Sequence, residues 1–155
     1  MKKLVIVAAL VSLPAFAVFA QDAESPFKDS VEIRHGLMLQ MASDLGKLGA
    51  IAKGEAPYDA TVATKAAANI SAIASVLGMD QFPAGSEVDA APDSFALPAI
   101  WSNPDDFDMK VKGLNDAAAT MKDAAAKDGD AVKAAMATLG GACGSCHKAY
   151  RQPES

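Results

Sequence analysis

The stretch GGACGSCHKAYR, residues 140–151, holds both cysteines of this 155-residue chain and one of its two histidines. Cys143, Cys146 and His147 stand at i, i+3 and i+4, positions that share one face of a helix. The sequence before them carries a helical rhythm. From Asp130 onward, Val132, Met136, Leu139, Ala142 or Cys143, Cys146 and Tyr150 recur in steps of three and four, the spacing of a bundle helix. The two sulfurs and the imidazole therefore project from the stripe that faces a helical core.

Reading outward, three further amphipathic segments precede this one, and no strand signal interrupts them. The first is predicted from about Ser25 to about Ile51, with Pro26 in its opening turn. Its apolar stripe is Ile33, Leu37, Met41, Leu45 and Leu48, and Gly54 and Pro57 break it. The second follows Asp59, a suitable N-cap, carries Val62, Ala66, Ile70, Ile73 and Leu77, and stops at Gly78. The third starts at Asn103 or Pro104, with Asn103 as cap. Its stripe is Phe107, Val111, Leu114, Ala118, Met121 and Ala125, and it ends at Gly129. Four helices with mostly short connections predict an all-α, antiparallel, up-down-up-down four-helix bundle, with rods of roughly 33 Å. Between the second and third helices lies a long irregular stretch punctuated by Pro83, Gly85, Pro92, Pro98 and Pro104. It also holds Phe82, Phe95, Leu97, Ile100 and Trp101. A linker would be polar, so this segment is expected to cover something or to be covered.

The N-terminus, MKKLVIVAALVSLPAFAVFA, places two lysines before a short apolar run and ends in small residues. It reads as a secretory signal, residues 1–20, cleaved after Ala20 to leave one domain over 21–155. The run is too short to span a bilayer as a helix. Losing Lys2 and Lys3 takes the formal charge from −5 to −7. An acidic chain without a basic run is a poor ligand for nucleic acid or for anionic membrane. An exported, periplasmic protein is expected, with no nucleic-acid or membrane partner.

Four chemistries compete for Cys143, Cys146 and His147. A disulfide between the cysteines would close a loop too small to restrain much of the unfolded chain. Zinc needs four ligands, and beyond these three only His35 offers another imidazole. A thioredoxin-type dithiol opens a helix after a strand, whereas this motif ends a helix. C-x-x-C-H is also the attachment signature of haem c. There two thiols bond the two vinyl groups of the porphyrin and the adjoining histidine is carried to the iron. Export agrees with that chemistry, and covalent haem c, one per chain, is the expected cofactor.

Beyond the motif, the chain resembles the class II cytochromes c, the group that contains cytochrome c′. The resemblance rests on CGSCHKAYR (143–151), RHGLMLQMAS (34–43), GAIAKGEAPYDA (49–60) and LPAIWSN (97–103), and covers nearly the whole chain after residue 20. It implies thioether anchors at Cys143 and Cys146 and a proximal iron ligand at His147. It places Arg151 beside the proximal face and Arg34 near the haem and its propionates. His35 stands where the family often has glutamine; a propionate hydrogen bond or a sixth ligand are its two options. Met38 matches the position over the open iron face, where it either ligates iron, as in the low-spin members, or packs there as an apolar filler. Phe82 and Phe95, with Met79, would help to cover the haem. Family members are often homodimers joined through the first two helices.

The expected function is electron transfer, binding of small diatomic gases such as NO and CO, or both, with an unidentified redox partner and no catalytic constellation. With Met38 on the iron the protein would be a low-spin electron carrier that binds no gas. The non-haem alternative is an exported thiol or metal-binding helical bundle.

Overall fold

Helix-forming stripes of alanine and leucine produce five α-helices in the computed structural model, which describes residues 25–153. They are α1 (Lys28–Lys53), α2 (Ala60–Val76), the short α3 (Ala99–Ser102), α4 (Pro104–Ala125) and α5 (Gly129–Tyr150). The expected signal, residues 1–20, lies outside the described residues. The four long helices form the bundle: α1 packs on α2 and α5, and α4 packs on the same two. Among the described residues the only β-type pairing is one isolated antiparallel bridge, Ala96 with Arg151.

Local chemistry sets the ends. Gly54 closes α1 in the left-handed region (φ 76°), which glycine enters without a Cβ penalty. Asp59 caps α2 by accepting from the backbone N–H groups of Thr61 and Val62. Asp128 caps α5 by accepting from the Ala131 N–H. The short connections 54–59 and 126–128 make their flanking helices antiparallel neighbours. Tyr58 fastens this end of the bundle by donating its hydroxyl to the Ala125 carbonyl at 2.9 Å.

The core is built from few large and many small side chains. Leu48, Ile70, Met121, Val132 and Leu139 are fully buried, and Ala63, Ala66, Ala67, Ala74, Ala118 and Ala125 fill the space between them. Burying one leucine-sized side chain contributes about 1.5–3 kcal/mol. Alanines at the contacts bring the helices close and cost little side-chain entropy on folding.

Several expectations need correction. α1 begins at Lys28, not at Ser25 or Pro26; the Ser25 hydroxyl instead accepts from the Phe27 N–H in the turn that leads in. Its buried face runs Val31, Arg34, Met41, Asp44, Leu48 and Ile51, whereas Ile33 is 54% exposed. The apolar pattern misses this phase because two of the inward residues, Arg34 and Asp44, are charged. In α2, Val62 faces solvent and Ala63 takes the core position. Asn103 does sit before α4, but its amide donates back to the Ala99 carbonyl and caps nothing. α5 starts at Gly129 under Asp128, earlier than Asp130.

The segment from 77 to 103 is ordered and tied at three places. It contains a single 3-10 turn, Met79–Gln81, and helix α3. Val88 N–H donates to the Ala96 carbonyl, Leu97 N–H to the Tyr150 carbonyl and Gln152 N–H to the Phe95 carbonyl, each within 2.9 Å. Gly85 has φ 94°, and a Cβ there would lie 2.7 Å from the Phe27 ring. That position admits only glycine without movement, so the segment is seated against the start of α1.

Candidate functional site

The end of the bundle opposite Tyr58 opens into a cavity of about 690 Å³, within the usual range for cofactor sites. Helix α1 supplies Arg34, His35, Met38 and Met41 to its wall, and α5 supplies Ala142, Cys143, Cys146, His147 and Tyr150. The segment after α2 adds Phe82, Phe95 and Ile100, and α4 adds Phe107, Lys110 and Leu114. Arg151 stands at the exit of α5. All nine residues singled out from the sequence therefore line one cavity: Arg34, His35, Met38, Phe82, Phe95, Cys143, Cys146, His147 and Arg151. Met79 does not line it; it packs behind, against the cluster of Ala96, Ile100, Phe107 and Tyr150.

Cys143 and Cys146 are free, half-buried thiols. Burial pushes both thiols above their usual pKa, and for Cys146 the neighbouring Cys143 adds to the effect. They are thus held as neutral thiols rather than as thiolates. His147 is accessible along the wall, and its pKa is lowered by desolvation and then by the Arg151 cation. A neutral imidazole is the form that binds a metal. Among the described residues, no three His, Cys, Asp or Glu side chains converge to hold a bare ion.

Arg34 is where the geometry adds most to the expectation. The residue is only 5% exposed. Its guanidinium donates to the Gln81 carbonyl (3.2 Å), the Ser86 hydroxyl (2.7 Å), the Ser86 carbonyl (3.0 Å) and the Ser94 hydroxyl (3.2 Å). Its carbon centre also lies 4.8 Å from the Phe82 ring centre, a cation–π contact. Arg34 thus pins the 77–103 segment from inside as well as lining the cavity. At the mouth, Phe95 is 42% exposed. The His35 ring lies 5.8 Å from it and the Arg151 guanidinium 5.5 Å.

Sequence reasoning passed over Tyr150 and Lys110 as site residues. Tyr150 is 5% exposed and donates its hydroxyl to Asp106 Oδ2 at 2.6 Å. That bond, then burial, pushes its pKa up to about 12. The signal was present in the spacing: Tyr150 follows His147 by three residues, on the same face of α5.

The wall carries basic side chains (Arg34, Lys110, Arg151, His35 and His147) and no carboxylate. The rest of the lining is almost wholly apolar. An apolar cavity rimmed by cations, with two thiols and an imidazole on one helix face, fits a flat apolar macrocycle that carries carboxylates. Haem is such a group: Cys143 and Cys146 would hold its vinyl carbons, and His147 its iron.

Comparisons with known proteins agree with that fit. The family model described as Cytochrome C′ matches residues 29–151. Cytochrome c-554 of Cereibacter sphaeroides is 54% identical over 143 residues, 92% of this chain and 93% of that protein. Among solved structures, cytochrome c′ from Rhodobacter spheriodes superposes with a TM-score of 0.78 at 32% identity, over 83% of this chain and 98% of that one. The nitric oxide complex of a mutant cytochrome c prime from Alcaligenes xylosoxidans gives 0.73 at 30% identity, over 84% and 99%.

Proposed function

Because the chain belongs to the cytochrome c′ family, whose members carry covalently attached iron haem c as this chain does, we propose that it is an exported, periplasmic electron-transfer protein. The single observation that carries this reading is that one cavity is lined by both a histidine and a methionine from different helices. His147 projects from α5 on one side of the cavity, and Met38 lines it from the packed neighbour α1.

The haem supplies a one-electron couple. Everything else is done by the chain. Cys143 and Cys146 anchor the group on consecutive turns and fix its rotation about α5. His147 presents a neutral nitrogen to the iron. Met38, lining the same cavity from α1, would offer a thioether as a second ligand; with both ligands kept in both redox states, electrons would move with little rearrangement. Phe82, Ile100, Phe107 and Leu114 line the cavity and would keep water from the iron. Arg34, Arg151 and His35 stand where propionate charge is best compensated.

A second reading has its own support. Met38 shares the cavity lining with the apolar Met41, Leu45, Ile70 and Leu77. If Met38 only packs there, the face it covers admits a small neutral diatomic and excludes larger or charged ligands. The Alcaligenes xylosoxidans relative is described as a nitric oxide complex. The family-typical homodimer through α1 and α2 belongs with either reading. Leu39, Val62 and Val76 are exposed apolar residues on those helices.

The test is an absorption spectrum of the periplasmic holo-protein, oxidised and reduced, with and without CO or NO. Sharp, split reduced bands that ignore CO, and that Met38→Ala converts to a high-spin, CO-binding spectrum, support the electron carrier. A wild-type spectrum already high-spin and promptly shifted by CO or NO refutes it in favour of gas binding.

A further inference from the structure

Among the described residues the cavity wall carries basic side chains and no carboxylate, and Asp106 stands behind it. Asp106 lies in the first turn of α4. Its Oδ2 accepts from Tyr150 at 2.6 Å, and its Oδ1 lies 4.0 Å from Lys110 Nζ. Tyr150 and Lys110 both line the cavity, and Asp106 does not. Tyr150 cannot swing away. It is buried, with Phe107 edge-on at 5.5 Å, and Phe107 in turn meets Phe82 edge-on at 5.1 Å.

An aspartate in the first turn of a helix normally samples several rotamers in water. Here the side chain of Asp106 is 46% exposed, yet a short bond from an immobile phenol fixes one of its oxygens. The bond ties α4 to α5 one turn beyond His147. Through Tyr150 and Lys110, which both line the cavity, the Asp106 carboxylate stands directly behind its wall. The Lys110 pair is long and partly exposed, and such pairs are weak.

We propose that Asp106 tunes the electron-transfer reaction: the Tyr150 hydroxyl holds its carboxylate behind the cavity wall, one turn beyond His147, where the fixed negative charge favours oxidised iron and lowers the reduction potential. Arg34 from α1, Lys110 from α4 and Arg151 at the end of α5 face the same cavity and pull the other way. With the propionates offsetting Arg34 and Arg151, the Asp106 carboxylate is a further fixed negative charge close to the cavity. The role rests on haem being seated as proposed above.

The test is spectroelectrochemical titration of the purified holo-protein at neutral pH and low salt. Asp106→Asn keeps the shape and a hydrogen-bond acceptor and removes the charge. Its midpoint potential is expected to rise. Tyr150→Phe keeps the ring and frees the carboxylate into solvent; it is expected to raise the potential by a smaller amount. In the double variant the tyrosine change should add nothing to Asp106→Asn. Asp106→Glu, which keeps the charge within reach of the phenol, should stay near the wild-type potential. If Asp106→Asn and Tyr150→Phe lower the melting temperature but leave the potential where it was, the pair is a structural clamp and the proposal is wrong. A Glu variant as high in potential as the Asn variant would also overturn it. The oxidised and reduced spectra, recorded in the same titration, report the iron ligands separately. Lost His147 or Met38 ligation in the wild type would sink the functional reading instead.

Discussion

Replacing Arg34 by alanine removes the bond between the two halves of the cavity wall, and its cost can be worked out contact by contact. The guanidinium donates to four acceptors on the 77–103 segment. Two of those groups keep another partner: the Ser94 hydroxyl itself donates to the Ser86 carbonyl at 2.6 Å. The Gln81 carbonyl and the Ser86 hydroxyl lose the bonds that Arg34 made. Stranding a buried polar group costs about 1–3 kcal/mol, and water entering the space left by the side chain recovers part of it. A net loss of about 3 kcal/mol follows. For a domain between the sizes where 1 kcal/mol shifts Tm by roughly 2–4 °C and 4–8 °C, that is about 10–15 °C. Arg34→Lys keeps the charge but cannot fork to four acceptors, so it should lose at least half as much. The assay is thermal unfolding followed by circular dichroism at 222 nm, with limited proteolysis mapping cuts to 77–103. A melting temperature for Arg34→Ala within about 2 °C of wild type, or an unaffected lysine variant, would refute the view that Arg34 pins this segment.

Three other outcomes are expected. Asp44 is fully buried and accepts from Lys47, Gln40 and Asn69; desolvation raises its pKa, but these bonds outweigh it and hold it below the ordinary carboxylate range. Its folded value is depressed, so its contribution is complete above about pH 4 and is lost as pH falls through the lower folded value; Asp44→Asn should flatten that acid limb in urea titrations. Tyr150, raised to about 12, should contribute stability below about pH 10 that fades as pH rises through about 12. Absorbance at 295 nm should show a late tyrosinate that Tyr150→Phe abolishes. Cys143→Ala with Cys146→Ala should give a chain whose haem is extracted by acid acetone, where the wild type keeps its colour after denaturation. Covalent haem surviving in the double variant would end the anchor assignment.

The bundle was legible because its signals are short-range. The Asp59 cap, the Gly54 stop and the three-four spacing are written locally, and CGSCH names haem c as the cofactor. What sequence could not supply was phase and partnership where charge goes inward. Ile33 and Val62 look like core residues in a stripe, yet Arg34 and Ala63 hold those buried positions. An arginine enters the core only when acceptors arrive from elsewhere, here from serines 52 and 60 residues away. Nothing near Arg34 in the chain announces them. The same holds for Asp106, whose importance depends on a phenol 44 residues downstream.

These long-range bonds also explain why the cavity sits at one end of the bundle. At the Tyr58 end, alanine-rich stripes let the helices close on one another, and short turns finish them. At the other end, Phe82, Phe107, Ile100 and Tyr150 are too large for helices to meet around them without a gap. The 77–103 segment bridges that gap. Arg34 holds it from α1, and the Tyr150 and Gln152 backbone holds it from the end of α5. Any force on the wall that bears Met38 therefore reaches the wall that bears His147 through the same stretch of chain. In such an arrangement the separation of the Met38 and His147 walls is fixed by the segment's fastenings, not by helix packing alone. Loosening Arg34 should disturb the Met38 wall of the cavity before it unfolds the bundle.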